Sequence, residues 1–365
     1  MMERNYSLPM LLIGLLAMPA AIAATDAFSD AYQSYQTAIQ SKDWQRSLSA
    51  SALTLEEGLK IFDQQGENIA NLRLNHANEL IRARQFEQAI DQLNASLNAK
   101  TANLGAQSPE LVDVLMPLGK SIARTSLEDA IPHFSRAIQL TQGNDALRAQ
   151  LRLDAGLALF SAGDRKTSQD YLSEAQQYYS QRFGTQDIRN GIASLNLGRI
   201  YFEDRNYGRA LPALNMALEA FGSPDPTARQ FNAATRKMLV VVLETTGERE
   251  KATEHCIALA MLNSVEGNSE AELVFSGRDI KPPMIGVRDS NGINARTYGA
   301  TIVVKFDIDE EGYVVNTGIA SSTSASMNAT ALEIAISLRY SPRIVDGKPV
   351  LASGFEYRYK LAEGF

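Results

Sequence analysis

The chain has 365 residues, with 35 Lys and Arg against 42 Asp and Glu and a formal net charge of −7. That acid excess argues against a polyanion such as nucleic acid as the main partner. The single cysteine, Cys256, excludes an intrachain disulfide. The length allows two or three domains, and the charge is uneven: residues 277–365 hold ten basic and ten acidic groups, so the whole −7 falls on the first 276.

Taken in order, the first segment reads as an export signal. Arg4 precedes an uncharged run from Leu8 to Met18, and Ala21-Ile22-Ala23 supplies the small residues that a signal peptidase needs. Cleavage after Ala23 would place the protein in the periplasm. The alternative is a retained anchor in the inner membrane facing the periplasm, but Leu8 to Ala24 is only 17 residues, broken by Pro9, Gly14 and Pro19, at the short limit for a span. No cysteine follows, so lipid attachment of the lipoprotein kind is excluded.

From Ala24 to Asn263 one pattern repeats. Small residues recur at Ser47, Ala89, Ala130, Ser168, Ala210 and Ala252, at intervals of 42, 41, 38, 42 and 42 residues, a period of helical arrays. Earlier in copies two to five stand Ala77, Gly119, Gly156 and Gly198, each followed three residues later by Leu80, Ile122, Leu159 or Tyr201. Each copy therefore reads as two antiparallel helices meeting at small residues, with aromatics at Trp44, Phe86 and Tyr207 packing at the turn between them. One helix pair cannot bury its apolar face alone, so the copies must stack. Cys256 falls where other copies carry Leu93, Phe134, Leu172 and Leu214, which makes it a core residue.

The motif Leu197-Gly198-Arg199-Ile200-Tyr201, with Ala210 in the second helix, resembles the tetratricopeptide repeat. The longer period, and Leu74-Asn75 and Leu195-Asn196 before the small residue, resemble the repeats of kinesin light chains. That resemblance implies a superhelical array with a peptide-binding concave face. By spacing from the small anchors, Asn75, Asn78, Arg82, Lys120, Arg124, Asn196 and Arg199 are the candidate contacts to a peptide or protein in the groove.

Periodicity stops between Ser264 and Asn294, where Gly267, Gly277, Pro282, Pro283, Gly286, Asn291 and Gly292 mark a linker. The period then changes to two. Ile302, Val304, Phe306 and Ile308 alternate as a strand, Asp309-Glu310-Glu311-Gly312 turns the chain, and Tyr313 to Ala320 returns. A helix is expected from Met327 to Arg339, with Ala331, Ile334, Ala335 and Leu338 on one face. After a turn at Asp346-Gly347, Phe355, Tyr357, Tyr359 and Leu361 alternate as the last strand.

The run from Val303 to Val314, the helix, then Arg339-Tyr340-Ser341-Pro342-Arg343 and Asp346-Gly347-Lys348-Pro349-Val350 resemble the TonB carboxy-terminal domain family. In that family the domain sits in the periplasm and contacts outer-membrane receptors, partly by accepting a receptor peptide along its sheet. The resemblance implies a partner edge at Ser353 to Leu361, with Phe355, Tyr357 and Tyr359 as contacts. The helical array stands where the energy transducer has a membrane helix and a Pro-rich spacer.

No motif for catalysis appears. His76, His133 and His255 lie in three different copies without metal-ligand spacing, at positions expected to be exposed or capping. Asp307, Asp309, Glu311 and Gly312 imitate the start of a calcium loop, but Gly318 stands at the twelfth position and the flanks are strands. The expected fold is α+β multidomain: signal 1–23, helical array 24–263, linker 264–294, and a strand-strand-helix-strand domain 295–365. The expected function is a non-enzymatic periplasmic adaptor without cofactor or metal. Its partners would be a protein or peptide in the repeat groove and an outer-membrane or envelope protein. The alternative is an energy transducer or accessory of TonB-dependent transport with the N-terminal segment kept as an anchor.

Overall fold

The computed structural model describes residues 26–222, 225–276 and 300–361. The expected signal and its cleavage site lie outside the described residues, as does the linker from 277 onward. Two compact units divide the chain, Met1–Gly143 and Asn144–Phe365.

The first unit holds three helix pairs: α1 (Asp26–Gln40) with α2 (Trp44–Ile61), α3 (Glu67–Arg82) with α4 (Phe86–Leu104), and α5 (Val112–Ile122) with α6 (Leu127–Gln139). The second holds three more: α7 (Asp145–Ala162) with α8 (Arg165–Phe183), α9 (Ile188–Glu203) with α10 (Tyr207–Ala220), and α11 (Pro226–Thr246) with α12 (Arg249–Val265). Every second helix begins three residues before its small anchor, at residues 44, 86, 127, 165, 207 and 249. All six anchors are fully buried.

Local chemistry sets those starts. In five of the six turns the residue two before the helix has a left-handed backbone: Lys42, Arg84, Gly163, Arg205 and Gly247, with φ from 56° to 100°. At four of the six turns the next residue caps the helix with its side chain: Asp43, Ser126, Asp164 and Asn206 each accept the backbone N–H three residues on, at 3.0–3.3 Å. Such a cap contributes about 1 kcal/mol.

Pairing within a repeat rests on size complementarity. A Cβ on Gly119 would stand 2.8 Å from Phe134, one on Gly156 2.8 Å from Leu172, and one on Gly198 2.7 Å from Leu214. In each case the large residue lies four positions after the anchor of the second helix. Cys256 occupies that position in the last pair and is fully buried. Burial pushes its thiol up to about 11, against the pull of the Arg339 cation.

The C-terminal domain carries the expected strand-strand-helix-strand core and more. Strands β2 (Ala300–Ile308), β3 (Val314–Ser322) and β7 (Ala352–Leu361) form an antiparallel sheet in the order β3-β2-β7. Helix α13 (Asn328–Ile336) covers one face, burying Ala331 and Ala335 against Ile302, Val304, Phe306 and Ile308. The helix ends earlier than expected. Ser337 N bonds back to Glu333 and Ile334, Leu338 N to Ala335, and Arg339 opens strand β4 (Arg339–Ser341) instead of closing the helix. A small hairpin, β5 (Arg343–Val345) with β6 (Lys348–Val350), turns at Asp346 and Gly347, both with positive φ.

The stretch 264–276, read from the sequence as linker, is ordered into the fold. It contains the tail of α12 and strand β1 (Glu272–Phe275), which pairs antiparallel with β4. The acidic turn is a hairpin, as expected. Asp309 accepts the backbone N–H of Glu311 and Tyr313 at 3.0 and 2.8 Å, and Gly312 (φ 86°) lies so close to β4 that a Cβ would collide with the Tyr340 carbonyl.

Candidate interaction surfaces

The candidate groove residues divide between the units: Asn75, Asn78, Arg82, Lys120 and Arg124 in the first, Asn196 and Arg199 in the second. Asn75 and Asn78 are half-buried on α3 and make no side-chain hydrogen bond among the described residues. Lys120 and Arg124 are exposed at the end of α5.

Several candidates serve the repeat itself. The Arg82 guanidinium lies 4.0 Å above the Trp44 ring and donates to both Glu79 carboxylate oxygens at 2.8 and 2.9 Å. Buried Glu79 in turn accepts from Ser47 at 2.6 Å. Arg124 lies 5.1 Å above the Phe86 ring. Trp44 and Phe86 thus do not pack at their own turns alone, because an arginine from the following pair stacks on each. At the corresponding place further along, Arg165 donates to Glu203 at 2.8 Å, so an ion pair replaces the cation–π contact.

Asn196 is nearly buried. Its amide donates to the Ile192 carbonyl at 2.8 Å and accepts from Arg199 at 3.4 Å, while the Arg199 cation lies 4.9 Å from the Phe160 ring. The signal for these roles was present in the sequence as Arg five residues after Ala77 and after Gly119. It reads equally as a ligand contact, because a cation at a repeat junction faces solvent on one side.

The histidines are half-buried rather than exposed. His76 Nδ1 lies 3.0 Å from Ser51 Oγ and His255 Nδ1 3.2 Å from Arg236 Nη1. Burial depresses the pKa of all three below the usual imidazole value. Among the described residues no group of three or more His, Cys, Asp or Glu could hold a metal ion.

The C-terminal sheet offers a different surface. Strand β7 pairs with β2 along one side, from Ala300↔Leu361 to Ile308↔Ala352, and its other side meets no strand among the described residues. Phe355, Tyr357 and Tyr359 line the inner face. Phe355 stacks on Phe306 at 6.1 Å, and the Tyr357 and Tyr359 ring centres are 4.7 Å apart. These aromatics pack within the domain core, so what the open side of β7 presents is its backbone, with Ser353, Glu356 and Arg358 exposed.

Residues 294–361 match the family of Gram-negative bacterial TonB protein C-terminal domains. The chain therefore joins a TPR-like helical array to a TonB C-terminal-like domain. The chain is similar to the KINESIN LIGHT CHAIN-RELATED 1 protein of Arabidopsis thaliana, at 26% identity over 153 residues. That match covers 40% of this chain and 25% of the relative, so the chain spans about a quarter of that protein. Among solved structures, BtubC (BKLC) from P. vanneervenii aligns with a TM-score of 0.49 and 15% identity, covering 66% of this chain and 91% of that one. A putative kinesin light chain of Podosopora anserina with nearly identical TPR-like repeats aligns at 0.47 and 11%, covering 57% and 96%. Among the described residues no helix is long and apolar enough to cross a membrane.

Proposed function

We propose that this protein is an exported adaptor of the cell envelope that holds one partner on its helical array and a second on the open edge of its TonB-like domain. The observation that carries the reading is the side of β7 that meets no strand among the described residues, on a domain of TonB C-terminal type. An extended peptide laid there gains a row of backbone hydrogen bonds. The repeats supply the second surface, with Asn75 and Asn78 the groove candidates outside the Arg-aromatic contacts that join neighbouring pairs. No chemistry is assigned to either surface: the protein acts by binding.

Photo-crosslinking tests the edge. Benzoylphenylalanine placed at Glu356 or Arg358 should trap an envelope protein in a Gram-negative host, and the same probe at Ala320, exposed on the opposite edge strand, should not. No adduct from β7, or equal adducts from both edges, would overturn the assignment.

A further inference from the structure

The TonB-like domain is built into the last helix pair by two features, a strand that precedes the family match and a buried arginine whose partners lie in the array. Strand β1 is the first. Leu273, with Ala271 before it, packs against the core of the C-terminal domain, whereas Val274 and Phe275 pack against the core of the array. Four residues thus serve two cores, with the backbone paired to β4. Glu272 fixes the strand's start, accepting from Lys237 of α11 at 2.7 Å and from Asn263 of α12 at 3.0 Å.

The second feature is a buried arginine. Arg339 on β4 is fully buried, and its side chain leaves the domain. Nε lies 3.0 Å from Glu244 Oε1 of α11 as an ion pair. Nη2 donates to Thr253 Oγ1 of α12 at 2.8 Å, and the guanidinium lies 3.6 Å from the centre of the Tyr313 ring. Glu244 is itself only 4% exposed and also holds Arg249 at 3.1 Å. The next residue, Tyr340, points the other way, its ring 5.9 Å from Phe306 and 6.1 Å from Phe355 of β7. A buried charge is expensive unless paired, so Arg339 tolerates one arrangement of the domain on α11 and α12.

We infer that Glu244 and Arg339 are positioning residues: together with β1 they lock the TonB-like domain to the last repeat, so that the β7 edge is held at a fixed orientation on α11 and α12. The inference rests on the adaptor reading only for its use. The lock is a property of the chain, whether or not β7 has a partner.

Spin labels at Glu254→Cys on α12 and Lys348→Cys on β6, in full-length protein carrying Cys256→Ala, report the distance across the seam by double electron–electron resonance. One narrow distance is expected with the seam intact, and a distribution at least twice as broad in Glu244→Gln. Should Glu244→Gln fail to fold by circular dichroism, Glu272→Gln, which removes the outer ion pair of β1, takes its place with the same expectation. The double variant Glu244→Leu with Arg339→Met separates positioning from packing: its melting temperature is expected to return toward wild type while the distribution stays broad.

A broad distribution with the seam intact, a narrow one in Glu244→Gln, or a narrow one in the double variant would overturn the lock. Loss of β7 crosslinking with a narrow wild-type distance would instead defeat the adaptor reading and leave the lock standing.

Discussion

The interior repeats and the seam to the C-terminal domain solve the same packing problem in opposite ways. Between α9 and α10 a glycine admits a leucine, Gly198 against Leu214, with no charged group in the contact. At the last pair the glycine is replaced by Val240 and the leucine by Cys256, and a charged pair, Glu244 with Arg339, joins the helices to the next domain. Apolar complementarity tolerates repetition because each pair presents the same shape to the next. A buried ion pair is selective, since Arg339 would lose its countercharge in any other arrangement.

Breaking the seam should have the largest effect. Glu244→Gln leaves the Arg339 cation buried without its carboxylate, and about 3–5 kcal/mol of stability should be lost from the second unit, read by urea denaturation; Arg339→Met should cost less, because Glu244 keeps Arg249. The double variant Glu244→Leu with Arg339→Met should recover most of that loss. Next comes the repeat interior: Gly198→Ala inserts a methyl 2.7 Å from Leu214, and overpacking of this kind costs roughly 1–3 kcal/mol. Pairing it with Leu214→Ala should restore part of the loss, a rescue that no change at the seam can provide.

Acidification sharpens the contrast at His255, which faces Arg236 on α11, with Glu254 beside it. Its folded pKa is depressed, so the unfolded chain binds more protons as pH falls through the model-peptide value of about 6.5. Stability therefore rises with pH there, and is lost as pH falls from neutrality through that value toward the lower folded one. His255→Gln should flatten this part of a plot of melting temperature against pH. The smallest effect should come from the turns. Arg205 holds a left-handed backbone with φ 57°, and Arg205→Gly should stabilise the fourth turn of this type by roughly 0.5–1 kcal/mol, seen as a small rise in melting temperature.

The array was legible because its signal is local and repeated. Ser47, Ala89 and their successors mark helix starts through spacing alone, and the alternation from Ile302 to Ile308 marks a strand in the same way. The seam was not legible. Arg339 reads as the last turn of a helix, Glu244 as one more acid on an amphipathic helix, and Glu272–Phe275 as four residues in a turn-rich stretch. Their pairing links positions 95 residues apart in sequence, and no period connects them. The groove candidates show the converse limit: Arg82 and Arg124 recur in register because they stack on Trp44 and Phe86, and recurrence alone does not separate a repeat contact from a ligand contact.

The exported adaptor proposed above and an anchored transducer differ in the fate of residues 1–23. Intact-mass spectrometry of the native protein from separated soluble and membrane extracts distinguishes them. An exported adaptor gives a mature chain beginning at Ala24 in the soluble envelope fraction. A chain that keeps residues 1–23 and fractionates with the inner membrane would rule it out.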